Sequence, residues 1–90
     1  MPITNFILDT NFIKVVNYAE NRTVIVMSNR DPLNAIEWTY EPNAEILHVF
    51  TLDPMDSISL IKALGNEVDK AIYARAVTGT AKLEVIEHYE

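Results

Sequence analysis

Carboxylates are the side chains of this sequence whose positions could support catalysis. The stretch NFILDTNFIKVV, residues 5–16, places Asp9 directly after a hydrophobic run. Asp31, Asp53 and Asp56 are further aspartates along the chain. Carboxylates that converge can hold two divalent cations about 3.5–4 Å apart, the arrangement that positions attacking water in many nucleases. The chemistry to consider first is therefore metal-dependent hydrolysis.

The stretch around Asp9 resembles the first catalytic segment of the PIN family of metal-dependent nucleases. This resemblance implies that Asp9 is the first metal ligand of a nuclease, and it is limited to this one stretch. The family continues with a helix at this point, whereas the residues after Asp9 continue as a strand, and its chains are longer. We therefore interpret Asp9 as part of a turn, because Asp and Asn side chains bond their own backbone. A nuclease fragment around Asp9 is kept as a distant alternative.

The remaining polar residues show no pattern of a catalytic or metal site. His48 shares a strand face with Ile46 and Phe50, which favours a partly buried structural role, and His88 is expected to face solvent. A zinc site needs a third or fourth ligand, and no such residue follows either histidine at i+3 or i+4. The absence of cysteine excludes disulfides, thiolate zinc sites and a cysteine nucleophile. We predict no enzymatic activity, no metal and no cofactor.

Charge and hydropathy argue against nucleic acid and membranes as partners. Thirteen acidic residues against seven basic ones give a net charge of −6, and no two basic residues are adjacent. Binding to phosphates requires clustered Lys and Arg. The apolar runs are far shorter than the roughly 20 residues that span a bilayer, and the N-terminus does not resemble a signal peptide. We expect a cytoplasmic protein, in the host cytoplasm if viral, whose partner is another protein or itself.

The first half of the chain reads as strands. Runs of β-branched and aromatic residues predict strands at 3–9, 12–18, 23–28, 35–41 and 45–52. A polar turn at 19–22 predicts that 12–28 is a hairpin, and Pro42-Asn43 predicts a second hairpin at 35–52. Residues 24–27 are apolar on both faces. That strand must therefore be central in the fold or present one face to a partner.

The second half predicts one helix. Asp53-Pro54 is typical of a helix start. Apolar residues recur at helical spacing from Ile58 to Ile72, which predicts an amphipathic helix at about 54–76. A last strand is predicted at 81–90. The predicted fold class is α+β: a single domain, 1–90, of five to six mainly antiparallel strands in β-β-β-β-β-α-β order, with the helix on one sheet face.

The second hairpin carries candidate partner-binding residues on both of its faces. Trp38 and Tyr40 share one face, and Glu37 and Glu41 point the other way, followed by Glu45. Exposed Trp and Tyr are enriched among the residues that dominate binding energy. The three glutamates could instead recognise a basic partner. The sequence leaves open which face is exposed.

Two functions are compatible with these observations. The first is a small acidic protein-binding domain without catalysis. Short chains without cysteines or motifs are common among accessory proteins of phages and mobile elements, which favours an inhibitor of a larger host protein. The second is a self-assembling structural or particle subunit, in which terminal strands 3–9 and 81–89 pair between chains because unpaired edges invite pairing. Ile7 and Ile86 represent these edges, and proline at either position is expected to break the oligomer.

Overall fold

Within the part of the chain that the structure describes, the fold consists of two antiparallel four-stranded sheets. The computed structural model describes residues 2–40 and 49–90. Sheet A has the strand order β1-β8-β3-β6, and sheet B has the order β2-β7-β4-β5. The strands are β1 (Ile3–Leu8), β2 (Ile13–Val16), β3 (Arg22–Asn29), β4 (Ile36–Tyr40), β5 (Phe50–Leu52), β6 (Ser57–Ile61), β7 (Ile72–Ala76) and β8 (Ala81–Tyr89). The regular secondary structure of the described residues is therefore nearly all β.

The predicted α+β fold is wrong, because the segment 54–76 contains no α-helix. It forms β6, a 3-10 turn at Lys62–Leu64, and β7. Met55 has φ 61° and Gly65 has φ 84°, left-handed conformations that turn the chain where a helix would continue. In β7 every second residue is buried, which is the strand period and not the helical one.

Of the two predicted hairpins, one is confirmed and one is wrong. Strands β4 and β5 pair antiparallel, with Ile36 opposite Leu52 and Trp38 opposite Phe50. The predicted turn at Pro42-Asn43 lies outside the described residues. The segment 12–28 is not a hairpin, since β2 belongs to sheet B and β3 to sheet A. The predicted terminal strands are confirmed as β1 and β8.

The inner faces of both sheets supply one hydrophobic core. Strand β3 contributes Ile25 and Met27, both fully buried, to the side of sheet A that faces sheet B. Strand β7 contributes Ile72, Ala74 and Ala76 from the opposite sheet, each with no exposed surface. These residues belong to the same cluster of contacting side chains. The core therefore lies between the sheets, and it leaves the outer faces uncovered by other elements among the described residues.

One arginine is buried completely within this fold. The Arg22 side chain has no exposed surface and forms an ion pair of 2.9 Å with Glu87 on β8. Its guanidinium also donates to three backbone carbonyls: those of Asn17 (2.7 Å), Val68 (2.7 Å) and Lys70 (3.0 Å). These acceptors lie in the connection before β3 and in the connection before β7. Arg22 therefore ties both connections to sheet A.

The described residues contain no helix that could cross a membrane, since their helical structure is limited to the 3-10 turn.

Candidate interaction surface

The outer face of sheet A carries an apolar row that no other described element covers. The row runs across three strands in register, from Ile3 on β1 to Ile86 on β8 and Val26 on β3. Ile3 is 57% exposed, and the other two are half-buried. In the next row Val24 lies between His88 and Ile61. Contiguous apolar surface of this kind marks interaction sites more often than isolated exposed residues do.

This arrangement explains the two-faced pattern of residues 24–27. Strand β3 is central in sheet A, between β8 and β6. Its inner residues Ile25 and Met27 are fully buried, whereas Val24 and Val26 on the outer face are half-buried. The strand is thus central in its sheet and also presents one face outward.

Strand β1 ends sheet A, and no strand within residues 2–40 and 49–90 pairs with its outer edge. All of its residues pair with β8 in one continuous register, so it has no bulge. Pro2 accepts a hydrogen bond from Glu87 N–H, which extends this register by one residue. Backbone groups alternate in direction along an antiparallel strand. The N–H and C=O groups of Ile3, Asn5 and Ile7 therefore point to the open edge.

The open edge of β1 lacks the usual features that prevent pairing. Sheet edges are commonly protected by charged side chains, bulges or short strands. The edge strand β2 has Lys14 and a register shift, and the described part of β5 has three residues. Strand β1 has six residues without a charge, and Ile7 on it is 74% exposed. Of the four edge strands as described, β1 is the longest.

The two residues proposed from sequence as oligomer edges lie in different positions. Ile7 is on the edge strand β1, with its side chain on the outer face of sheet A. Ile86 is on β8, which lies between β1 and β3 and is not an edge. The prediction that 81–89 is an edge strand is therefore wrong. Ile86 nevertheless contributes to the apolar row.

The aromatic residues of the β4–β5 hairpin face the core. Trp38 is 2% exposed and stacks on Phe50 with ring centroids 4.5 Å apart. Tyr40 is half-buried and meets Trp38 edge-on at 5.5 Å. Burial raises the pKa of the Tyr40 phenol above its ordinary value, and the negative charge of Glu67 adds to this. Trp38 is thus a core residue in this fold. Of the two faces of the hairpin, the one with Trp38 is the buried one.

The acidic residues proposed for partner binding are only partly described. Glu37 is half-buried on the outer face of sheet B, and its Oε1 accepts from Arg75 Nε (3.0 Å) and Nη2 (2.8 Å). This carboxylate is thus already bound to a cation of its own sheet. Glu41 and Glu45 lie outside the described residues, as does His48.

Asp9 lies in a turn between β1 and β2. Its Oδ1 accepts from the backbone N–H of Asn11 at 2.8 Å, and its side chain is exposed. This hydrogen bond confirms the interpretation of Asp9 as a turn residue. Within residues 2–40 and 49–90, no three His, Cys, Asp or Glu side chains are close enough to hold a metal ion.

Sequence reasoning missed Ile3 and Val26 as members of one surface. They are brought together only by the pairing of β1 and β3 with β8. The usable signal for Val26 was the stretch 24–27, which is apolar on both faces.

Comparison with known proteins identifies the fold. The sequence matches no protein-family model and no curated protein. The structure is similar to the solution NMR structure of a de novo designed double-stranded β-helix, with a TM-score of 0.64. The alignment covers 98% of this chain and 100% of that chain at 12% sequence identity. At this low identity the similarity shows the fold alone.

Proposed function

We propose that this double-stranded β-helix is a non-catalytic binding domain whose partner is a second copy of itself, paired through strand β1. The observation that carries the proposal is the uncharged, continuous edge of β1 with Ile7 74% exposed on it. A free edge offers backbone donors and acceptors to another strand, and closed two-fold symmetry is the commonest arrangement of homo-oligomers.

The sequence of β1 is self-complementary in an antiparallel pair. A two-fold axis at Asn5 places Ile3 opposite Ile7 of the second copy, and Asn5 opposite its own equivalent. These are the positions whose backbone groups point to the open edge, so opposed residues can exchange N–H···O=C bonds. Their side chains are on the outer face of sheet A in both copies. The pairing therefore satisfies backbone and side chains in the same register.

This pairing also lengthens the apolar row. Within one copy the row consists of Ile3, Ile86 and Val26. In the pair, Ile7 of the second copy adjoins Ile3, so the apolar surface continues across the junction. Cross-strand contacts between β-branched side chains stabilise neighbouring strands by about 0.2–1 kcal/mol each. Sheet A becomes an eight-stranded sheet with β1 strands at its centre.

Self-association has better support than inhibition of a host protein through the β4–β5 hairpin. Trp38 is 2% exposed and cannot act as a surface anchor without unfolding of the core. Glu37 is engaged by Arg75. The residues that do present apolar surface are on the other sheet. We therefore place the binding function on β1 and sheet A.

The test is the solution mass of the protein across a tenfold concentration range, by light scattering coupled to size exclusion. We expect a dimer, or a mass that rises toward a dimer with concentration. Ile7→Pro removes one outward-pointing N–H without removing a β1–β8 hydrogen bond, so it should give a monomer with an unchanged far-UV circular dichroism spectrum. Ile7→Lys should do the same by placing a charge on the edge. Ile86→Pro is uninformative because β8 is an inner strand.

Ser59→Pro on β6 is the matched control. Strand β6 is the opposite edge of sheet A, and Asn29 N–H donates to Asp56 C=O next to it. The resulting alternation points the N–H of Ser59 outward as well. This variant should remain a dimer. A wild-type monomer at every concentration, or a dimer broken by Ser59→Pro and not by Ile7→Pro, would overturn the proposal.

A further inference from the structure

A depression lies on the outer face of sheet A, at the end opposite the apolar row. Its volume is about 360 Å³, which is within the lower range of small-molecule pockets. The lining residues are Asn5, Phe6, Ile7, Arg30, Lys82 and Leu83. The exposed side chains among them are one amide, one isoleucine and two cations. Asn5 and Ile7 also belong to the proposed β1 contact, and pairing of the β1 edges leaves their outer face of the sheet open.

The two cations are adjacent in the sheet. Ile7 is opposite Lys82 in the β1–β8 register, and Arg30 N–H donates to Lys82 C=O at 2.8 Å. The three side chains therefore form one row on the outer face. Arg30 Nη2 also donates to Glu84 Oε1 at 3.0 Å. A guanidinium has five N–H donors, so this ion pair leaves donors for a ligand.

Lys82 differs from the other basic residues of the chain. Four of these form ion pairs besides Arg30: Arg22, Lys62, Lys70 and Arg75. Lys14 lies over the ring of Tyr73. Lys82 has neither an ion pair nor a ring contact with any residue in 2–40 or 49–90. In a chain with net charge −6, an exposed cation without an internal partner beside an apolar depression is complementary to an external anion.

We propose that this depression binds a small amphiphilic monocarboxylate. Its carboxylate accepts hydrogen bonds from the Lys82 ammonium and the remaining N–H groups of Arg30, which are stronger than bonds between neutral groups. Its apolar body lies against Ile7, beside the backbone of Phe6 and Leu83, whose own side chains face the core. Glu84 opposes binding, because it is an anion that already occupies part of Arg30.

The experiment is a titration of the ¹⁵N-labelled protein with octanoate at neutral pH, below the concentration at which octanoate forms micelles. We expect saturable shifts of the amide signals of residues 5–7, 30 and 82–84. The uncharged octanol and the cationic octylammonium have the same chain. They should bind at least about tenfold more weakly, as expected for loss of a charge-assisted hydrogen bond.

Three variants make the test specific. Lys82→Gln should weaken octanoate about three- to tenfold. Glu84→Gln should tighten it by about two- to fivefold, because it releases Arg30 and removes a like charge. Lys62→Gln, at an exposed lysine paired with Glu90, should change nothing. Equal affinity for octanol and octanoate, shifts confined to another region, or unchanged affinity in both Lys82→Gln and Glu84→Gln would overturn the proposal. None of these variants alters β1, so a change in octanoate affinity in them would not arise from loss of β1 pairing.

Discussion

At the scale of the residue, Arg22 shows how a buried charge can be accommodated in a small domain. Burial of an unpaired charge is costly, and it is tolerated when ion pairs and hydrogen bonds satisfy the group. Arg22 has one carboxylate and three backbone carbonyls as acceptors. Glu87 accepts in addition from the Tyr89 hydroxyl at 2.9 Å. The guanidinium is thus the centre of a small network between connections and sheet.

Arg22→Met should lower the free energy of unfolding by about 3–5 kcal/mol, because it leaves Glu87 and three carbonyls without their donor. Urea unfolding at neutral pH measures this change. Arg30→Met is the control. The Arg30 side chain that pairs with Glu84 is 55% exposed, so this substitution should lower the free energy of unfolding by less than about 1 kcal/mol. Similar losses in the two variants would show that the Arg22 network does not stabilise the fold.

At the scale of the element, the turn between β5 and β6 interrupts the backbone where Asp53-Pro54 predicted the start of a helix. Met55 has φ 61° there, and its N–H donates to Asp31 C=O at 3.2 Å. Left-handed backbone is unfavourable for a residue with a Cβ. Beyond β6, Gly65 at φ 84° closes the 3-10 turn, and the Asn66 side chain accepts from Ile61 N–H at 2.8 Å. Two left-handed residues thus delimit β6 and its turn.

Met55→Gly should raise the free energy of unfolding by about 0.5–1 kcal/mol, since glycine relieves the left-handed strain but gains freedom in the unfolded chain. Met55 is 61% exposed, so little packing is lost. Gly65→Ala is the reciprocal variant. No atom lies within 4 Å of the added Cβ, so its expected loss of about 1 kcal/mol arises from φ alone. Thermal unfolding monitored by circular dichroism measures both. A destabilised Met55→Gly variant would contradict this account.

At the scale of the whole molecule, the two sheets depend on one core. Leu8, Ile25 and Leu83 of sheet A belong to the same cluster as Trp38 and Ile72 of sheet B. Neither sheet can keep its inner face buried if the other unfolds. Small domains with one core usually unfold in a single transition.

We therefore expect coincident unfolding of both sheets. Trp38 is the sole tryptophan, and its fluorescence reports on the inner face of sheet B. Its denaturation midpoint in urea should equal the midpoint from far-UV circular dichroism, which follows the strands of both sheets. If one sheet unfolded first, the two midpoints would differ, and the cluster would not act as one cooperative core.

Local pattern predicted where several strands and turns lie, although not that the terminal strands β1 and β8 pair with each other. The β4–β5 hairpin, the turn at Asp9 and the terminal strands all follow from residue type and alternation over short stretches. The helix predicted at 54–76 is wrong because a local pattern does not show tertiary pairing. Its apolar spacing fits a helix, and neither the left-handed Met55 nor the pairing of β6 with β3 can be read from spacing. Strands β6 and β7 are stabilised by burial of their inner faces, which occurs only when the two sheets pack together.

The sequence by itself determined an acidic, cysteine-free, strand-rich chain with a symmetric ITNFI segment and a two-faced strand at 24–27. Only the tertiary structure decided which strands share a sheet, that Trp38 is core, and that Arg22 is buried. It also placed Lys82 beside Arg30. The physical reason is sequence distance: Arg22 reaches Val68 and Glu87 across 46 and 65 residues. Contacts of that length arise from how the sheets pack, and no local preference specifies them.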